Sequence, residues 1–302
     1  MRIGIDLGGT KTEIVVLGKT GEIVLRERVP TPGNDYEKIL QTLQELVASV
    51  EHRLGRLCPV GVGIPGAVSL LTGRIKNANT TCLIGKPLRE DLERLLARPV
   101  RLANDANCFA LSEANDGAGA GSAVVFGVIL GTGVGGGVVV NGQVLSGANS
   151  IAGEWGHNPL PWPQNDERPG PTCYCGKNGC VETYLSGPGL KRDHLETTGQ
   201  DLDPNEIDRR ATNGDPECER TLQRYEDRLA RSLATVINLL DPDVIVLGGG
   251  LSNLKRLYKN VPKIWGRYVF SDEVRTQLVP AKFGDSSGVR GAAWLWPTDA
   301  DC

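Results

Sequence analysis

Apolar and polar residues alternate over Arg2–Leu7, break at Gly8-Gly9-Thr10-Lys11, and resume as a mostly apolar run over residues 13–17. A two-residue period interrupted by glycine predicts two strands joined by a tight turn. Val124–Leu130 repeats the pattern, breaking at Gly131-Thr132-Gly133 and resuming through Val140, where Asn141-Gly142 predicts a hairpin turn. Residues 123–140 carry no charge and are long enough to invite a membrane reading. The glycines inside the run and the Asn-Gly turn after it predict a buried hairpin instead. Two such units in one chain predict an internal duplication: two related α/β domains, each opening on a glycine turn.

Other periodicities fill in the α/β pattern. Residues 35–54 place Ile39, Leu40, Leu43, Leu46, Val47 and Val50 on one helical face. Val60–Ile64 reads as a strand ending at Pro65-Gly66, Leu88–Leu96 as a helix, and residues 100–103 as a strand leading into a helix over 104–113. Leu222, Tyr225, Leu229, Leu233, Val236, Ile237 and Leu240 mark a long core helix ahead of Asp243-Val-Ile-Val-Leu247. That last run suits a parallel strand covered on both faces. Residues 164–171 are polar and proline-containing and predict a mobile loop.

Composition narrows the class. A chain of 302 residues, 40% hydrophobic and 23% charged, is an ordinary globular protein of about two domains. A net charge of -3 speaks against nucleic acid or an anionic membrane as the main partner. Of eight cysteines three are clustered, and Cys58, Cys82, Cys108, Cys218 and Cys302 are scattered, which is no disulfide framework. The setting expected from this is reducing and cytoplasmic. The chain enters a strand at once, with no room for a signal peptide.

The densest chemistry lies between Gly153 and Thr183. Gly153-Glu154-Trp-Gly-His157 is followed by Cys173-Tyr-Cys175-Gly-Lys-Asn-Gly-Cys180-Val-Glu182. His157, Cys173, Cys175 and Cys180 form a complete ligand set for tetrahedral zinc, and a set with no open position makes the metal structural. Glu154 and Glu182 are poor ligands beside three thiolates and are left for other work. The turns at Gly8, Gly9, Thr10 and Lys11 and at Thr132 and Gly133 expose backbone N–H groups, with hydroxyls and a cation added, which suits phosphate oxygens. Gly131-Thr-Gly133-Val-Gly-Gly136 matches a dinucleotide fingerprint only in letters, because a strand and not a helix follows it. Gly248, Gly249 and Gly250 sit at the carboxyl end of the strand at 243–247, where α/β sheets bind ligands. An adenosine fits between that triple glycine and Thr132. Asp105 stands at or near the cap of the helix that follows the 100–103 strand, where N–H groups and the helix dipole favour its ionised form. That makes it a candidate general base, and Asp6 a candidate ligand for Mg²⁺ or its waters.

Taken in order, Asp6-Leu-Gly-Gly-Thr10-Lys11, Gly63-Ile-Pro-Gly66, Asn104-Asp105-Ala-Asn107, Leu130-Gly-Thr-Gly133, Gly153-Glu-Trp-Gly-His157, Cys173-x-Cys175-x4-Cys180, Leu247-Gly-Gly-Gly250 and Gly288-Val-Arg-Gly-Ala-Ala resemble the ROK family of bacterial sugar kinases. The resemblance implies two actin/hexokinase-like (ribonuclease H-like) ATPase domains around a central cleft, with a zinc-binding loop. It implies domains over 1–116 plus 288–302 and over 117–287, the second carrying the zinc loop and the dimerisation elements. It further implies ATP and Mg²⁺, a hexose acceptor, a homodimer, and Asp105 as catalytic base. Gly66, Asn79, Asn104, Glu154, His157 and Glu182 match sugar-binding positions, so His157 would serve both zinc and sugar through its two ring nitrogens. Within the family, Asn79-Thr80 and Asn158-Pro-Leu-Pro-Trp162 look most like fructokinases of the manno(fructo)kinase type. D-Fructose is therefore the expected substrate, with N-acetylglucosamine or a broad hexokinase activity as the alternative. Trp155 and Trp162 are expected to crowd a 2-acetamido group. The family also holds sugar-responsive repressors, whose DNA-binding domain would have no space ahead of a turn that starts at Asp6.

Overall fold

The computed structural model describes residues 1–78 and 80–297, so the expected ligand Asn79 lies outside the described residues, as does Cys302. The strands and helices are β1 (Arg2–Leu7), β2 (Lys11–Leu17), β3 (Ile23–Pro30), α1 (Tyr36–Leu54), β4 (Val60–Ile64), β5 (Ala67–Val68), β6 (Ile75–Lys76), α2 (Leu88–Leu96), β7 (Val100–Asn104), α3 (Asp105–Asn115), β8 (Val124–Leu130), β9 (Val134–Val140) and β10 (Gln143–Val144). There follow α4 (Val181–Leu185), α5 (Gly187–Thr198), α6 (Pro204–Thr212), α7 (Pro216–Leu240), β11 (Val244–Gly248), α8 (Leu257–Trp265), β12 (Gln277–Pro280) and α9 (Ser287–Trp294). The chain divides into two compact units. The first takes Met1–Gly121, Gly137–Ala152 and the C-terminal stretch from Asp285, and the second takes Ser122–Gly136 and Gly153–Gly284. An uninterrupted second domain over 117–287 therefore differs from the observed division, which falls inside β9 and gives residues 137–152 to the first unit.

Two five-stranded sheets run in the orders β3-β2-β1-β4-β7 and β10-β9-β8-β11-β12. Numbered along the chain, both orders are 3-2-1-4-5, which is the duplication expected from the two glycine-broken hairpins. In the first sheet β1 pairs antiparallel with β2 and parallel with β4. In the second, β11 pairs parallel with β8 and with β12. The uncharged stretch at 123–140 is strand and turn, and no helix among the described residues is long and apolar enough to cross a membrane.

In the first unit α1 lays Ile39, Leu43, Val47 and Val50 on β1 and β4, capped by Asp35 and closed by Gly55 in the left-handed region. The opposite face of the sheet is covered by α9, whose backbone comes closer than side chains would permit. A methyl group on Gly4 would stand 2.2 Å from the Val289 carbonyl oxygen, and one on Gly61 1.9 Å from that of Ala292. Glycine in β1 and β4 is thus what admits the helix, which buries Val289, Ala292 and Ala293 completely. The same approach brings Gly288 beside Asp6.

In the second unit α7 buries Leu222, Tyr225, Leu229, Leu233 and Ile237, as its periodicity predicts. The polar stretch at 164–171 is anchored rather than free. Glu167 is buried, with Arg228 Nε and Arg231 Nη2 each 2.8 Å from its Oε1. Burial alone would raise the Glu167 carboxyl, but hydrogen bonds from Arg231, Arg228 and the Gln164 N–H bring it down to about 2. A loop that looks mobile by composition is held because its acidic residue meets two arginines that α7 presents one turn apart.

Candidate active site

In the first unit, β1 delivers Asp6 to the carboxyl edge of the sheet and turns at once into β2. The Gly8 N–H donates to the Lys11 carbonyl at 3.1 Å, and a side chain on Gly8 would stand 2.7 Å from that oxygen. Thr31 braces the turn: its hydroxyl donates to Gly8 O at 2.7 Å and its N–H to Thr10 O at 3.0 Å. Gly9, Thr10 and Lys11 stay exposed on a held backbone. Nothing in the sequence singles out Thr31, because a threonine just past the end of β3 carries no local signal of a long-range brace. Thr80, whose hydroxyl is buried without a hydrogen-bond partner among the described residues, lies near Gly9: a side chain there would stand 3.5 Å from it.

Asp6 itself is squeezed among Gly63, Gly288 and Cys108. Burial raises its carboxyl to about 6, helped by the nearby charges of Asp105 and Glu13 and opposed by Arg28 and Lys11. A carboxylate raised in this way gains from a cation, which fits a role toward Mg²⁺ or its waters.

Asp105 is the first residue of α3, and the cap is its neighbour. Asn104 Oδ1 accepts the Ala106 N–H at 2.9 Å, while its Nδ2 donates to Gly66 O at 2.9 Å. Both functions of the Asn104 amide are thus engaged, one ending β7 and the other clamping the turn at Gly66, whose φ of 79° requires glycine. Asp105 Oδ1 also accepts the Ala106 N–H, at 2.8 Å, and its carboxylate is exposed. The result is an oriented, solvent-facing carboxylate a short distance from Asp6.

In the second unit the turn between β8 and β9 closes with the Gly131 N–H on Gly133 O at 3.0 Å, leaving Thr132 exposed. Glu182 Oε2 accepts the Val134 N–H at 3.0 Å. Gly249, at φ 80°, backs onto the end of β8 so closely that a methyl there would stand 2.5 Å from Leu130 O. The triple glycine and the Thr132 turn are therefore neighbours, as an adenosine and its phosphates would require. A 3-10 turn over Gly250–Asn253 follows the triple glycine, and α8 starts at Leu257.

The four proposed metal ligands converge, with their donor atoms all within 4.8 Å of one another. Cys173 Sγ lies 3.6 Å from His157 Nδ1, and Cys175 Sγ 3.6 Å from Cys180 Sγ. These spacings match tetrahedron edges built from Zn–S of about 2.3 Å and Zn–N of about 2.0 Å. Nδ1 is thereby the ring nitrogen that faces the cysteine sulfurs. Nε2 lies 3.0 Å from the hydroxyl of Tyr174, which the sequence reading passed over although it stands between two ligands. Glu154 is exposed just ahead of the short turn at Trp155–His157. Trp155 faces inward: it packs edge-on to Phe126 with centroids 5.7 Å apart, and its Nε1 donates to Gly135 O at 3.1 Å. Trp162 stacks on Tyr268 at 5.3 Å. Trp155 is buried, which withdraws its part of the steric argument against a 2-acetamido group, while Trp162 stays half-exposed.

Residues 2–299 match the ROK family. The chain belongs to that family. An N-acetyl-D-glucosamine kinase of Yersinia pseudotuberculosis is 40% identical over 299 residues, 98% of each chain. The crystal structure of a ROK hexokinase from Thermus thermophilus superposes with a TM-score of 0.85 at 33% identity, over 97% of this chain and 96% of that one. A ROK family glucokinase from Streptomyces griseus, solved with glucose and AMPPNP, gives a TM-score of 0.75 at 29% identity, over 97% and 98%. This ROK protein is thus similar along its whole length to kinases of several sugars.

Proposed function

We propose that this ROK protein is an ATP-dependent kinase of N-acetyl-D-glucosamine. The choice of sugar is carried by the full-length likeness, at 40% identity, to N-acetyl-D-glucosamine kinases. Fructose was expected from short stretches around Asn79 and Trp162 and from crowding by Trp155, and the inward packing of Trp155 withdraws the second of these. For the chemistry, support comes from Asp105, an oriented and exposed carboxylate at a strand-to-helix junction.

In this reading Asp105 takes the proton of a primary sugar hydroxyl as that oxygen attacks the γ-phosphorus, and the bond to the β-phosphate oxygen breaks to release ADP. The N–H groups around Gly9–Thr10 and Thr132–Gly133 hold phosphate oxygens, and Gly248–Gly250 lie beside the adenosine. Mg²⁺, when bound, neutralises phosphate charge, and Asp6 would hold it or its waters. His157, Cys173, Cys175 and Cys180 would hold a structural zinc. Gly66, Asn104, Glu154 and Glu182 would contact the sugar. The proposal includes a homodimer, read from the family resemblance and checked by light scattering.

The test is ADP release with N-acetylglucosamine, glucose, mannose and fructose at equal concentrations. The kcat/KM for N-acetylglucosamine should exceed that for fructose by more than about tenfold, a transition-state preference of about 1.4 kcal/mol. Predominant turnover of another hexose would move the assignment to that sugar, and no ADP with any of them would end the kinase reading.

A further inference from the structure

The segments that carry the metal ligands also grip the second glycine turn. Glu182 is the second residue of α4, which begins directly after Cys180. Its Oε2 accepts the Val134 N–H at 3.0 Å and would stand 2.7 Å from a side chain on Gly133. Its other oxygen lies 3.9 Å from Cys173 Sγ. A few residues on, the Gly187 N–H donates to Gly131 O at 2.8 Å. From the other ligand segment, Trp155 Nε1 donates to Gly135 O. There is no space for a side chain on Gly156, because Val134 O would lie 2.3 Å from it. Residues 131–135 are therefore held by two stretches that meet at the four ligands, one leading to His157 and one leaving Cys180.

A carboxylate beside a turn meant for anionic phosphate is repulsive unless it is spent on something else. Here one oxygen receives a charge-assisted bond from backbone, among the stronger hydrogen bonds available to a protein. That bond fixes the direction of the turn's N–H groups, and contact with a sugar hydroxyl does not call for it. We infer that Glu182 is a positioning residue that carries the order of the Cys/His cluster into the turn at 131–134, so that metal loading is coupled to nucleotide affinity. The inference rests on the kinase reading above and adds a nucleotide-side role to a residue matched so far only to sugar.

The experiment is calorimetric titration of the zinc-loaded protein with Mg·AMPPNP in the absence of sugar. Glu182→Ala should bind about tenfold more weakly, the worth of one charge-assisted hydrogen bond. Glu182→Gln, which keeps an acceptor oxygen for the Val134 N–H, should stay within about threefold of wild type. Exchange of the Val134 amide proton should be faster in Glu182→Ala and unchanged in Glu182→Gln. Wild-type protein stripped of metal by a chelator, and still folded, should lose affinity in the same direction. If wild type fails to bind AMPPNP, the kinase reading is what falls. If wild type binds and Glu182→Ala binds equally well, the positioning role is overturned, and undiminished binding by the stripped protein would overturn the coupling. Should Glu182→Ala not fold, Glu182→Asp decides, since its shorter arm withdraws the acceptor and keeps the charge: a loss of about tenfold supports the role and wild-type affinity removes it.

Discussion

Gly291 of α9 lies against Cys108 of α3 with no room between them: a methyl group on Gly291 would stand 1.6 Å from the Cys108 carbonyl oxygen. That contact joins the helix that begins at Asp105 to the helix whose first turn flanks Asp6. Gly291→Ala should therefore force the two helices apart, lowering stability by about 3 kcal/mol or more, and should depress turnover with it. Thermal unfolding with and without substrate checks both. A variant with an unshifted midpoint would show that the crossing is looser than the geometry states.

Asp105→Asn should leave the fold intact, since Asn104 caps α3 and the Asp105 side chain is exposed. Turnover should fall by about two to four orders of magnitude, the range of a general base, while sugar binding changes little. Steady-state rates beside a sugar-binding isotherm make the test, and wild-type turnover would take Asp105 out of the mechanism.

The raised carboxyl of Asp6 sets a direction with pH. Its ordinary value of 3.8 rises to about 6 in the fold, so the folded chain holds this proton more tightly than the unfolded one. The stability it contributes is fully present below pH 4 and is lost as pH rises through 6. Asp6→Asn should accordingly be more stable relative to wild type at neutral pH than at pH 4. In wild type the concentration of Mg²⁺ needed for half-maximal rate should climb about tenfold per unit below pH 6, as the proton competes for the same oxygen. A flat Mg²⁺ requirement from pH 5 to 7 would contradict the assignment.

Cys175 is exposed, so Cys175→Ala removes almost no packing and isolates the effect of a missing ligand. Elemental analysis should give one zinc per chain in wild type and much less in the variant, with a lowered unfolding temperature and weaker sugar binding. Active wild-type protein holding no zinc, never exposed to chelator, would rule out a structural metal.

Glu167→Gln should destabilise the second unit by about 1 to 3 kcal/mol, because Arg228 and Arg231 lose the carboxylate they share while each keeps a second one, Asp193 and Asp227 respectively. The depressed Glu167 carboxyl contributes stability above its unfolded value near 4.5 that disappears as pH falls toward 2. Acid unfolding of wild type should steepen in that window, and the variant should lack the step.

Much of this was legible in one dimension. Period-two runs broken by glycine, an amphipathic stretch ending at Gly55, and a ligand set packed into a few residues are local patterns, because pleat, helix pitch and metal geometry act over short chain distances. Asp6, Asp105, the glycine turns and the Cys/His cluster came forward as candidates from such patterns and their order. Asp105 was placed at or near the cap of its helix, and the structure makes Asn104 the cap and Asp105 the first helical residue, a distinction between two good capping residues that only backbone dihedrals make.

The tertiary structure decided what depends on residues distant in sequence. Whether Trp155 faces a sugar or Phe126, whether residues 164–171 move or are pinned through Glu167, and which nitrogen of His157 faces the cysteine sulfurs all depend on partners brought by another element. So do the glycines at 4 and 61, which look like weak points in strands until α9 is seen lying on them, and Gly291 of α9, which admits α3. Sequence by itself determined the elements, the duplication and the chemical inventory, because those are set by local sterics and periodicity. The direction of each side chain was decided by packing, because burial and hydrogen bonding are satisfied jointly by groups that meet only when the chain has folded.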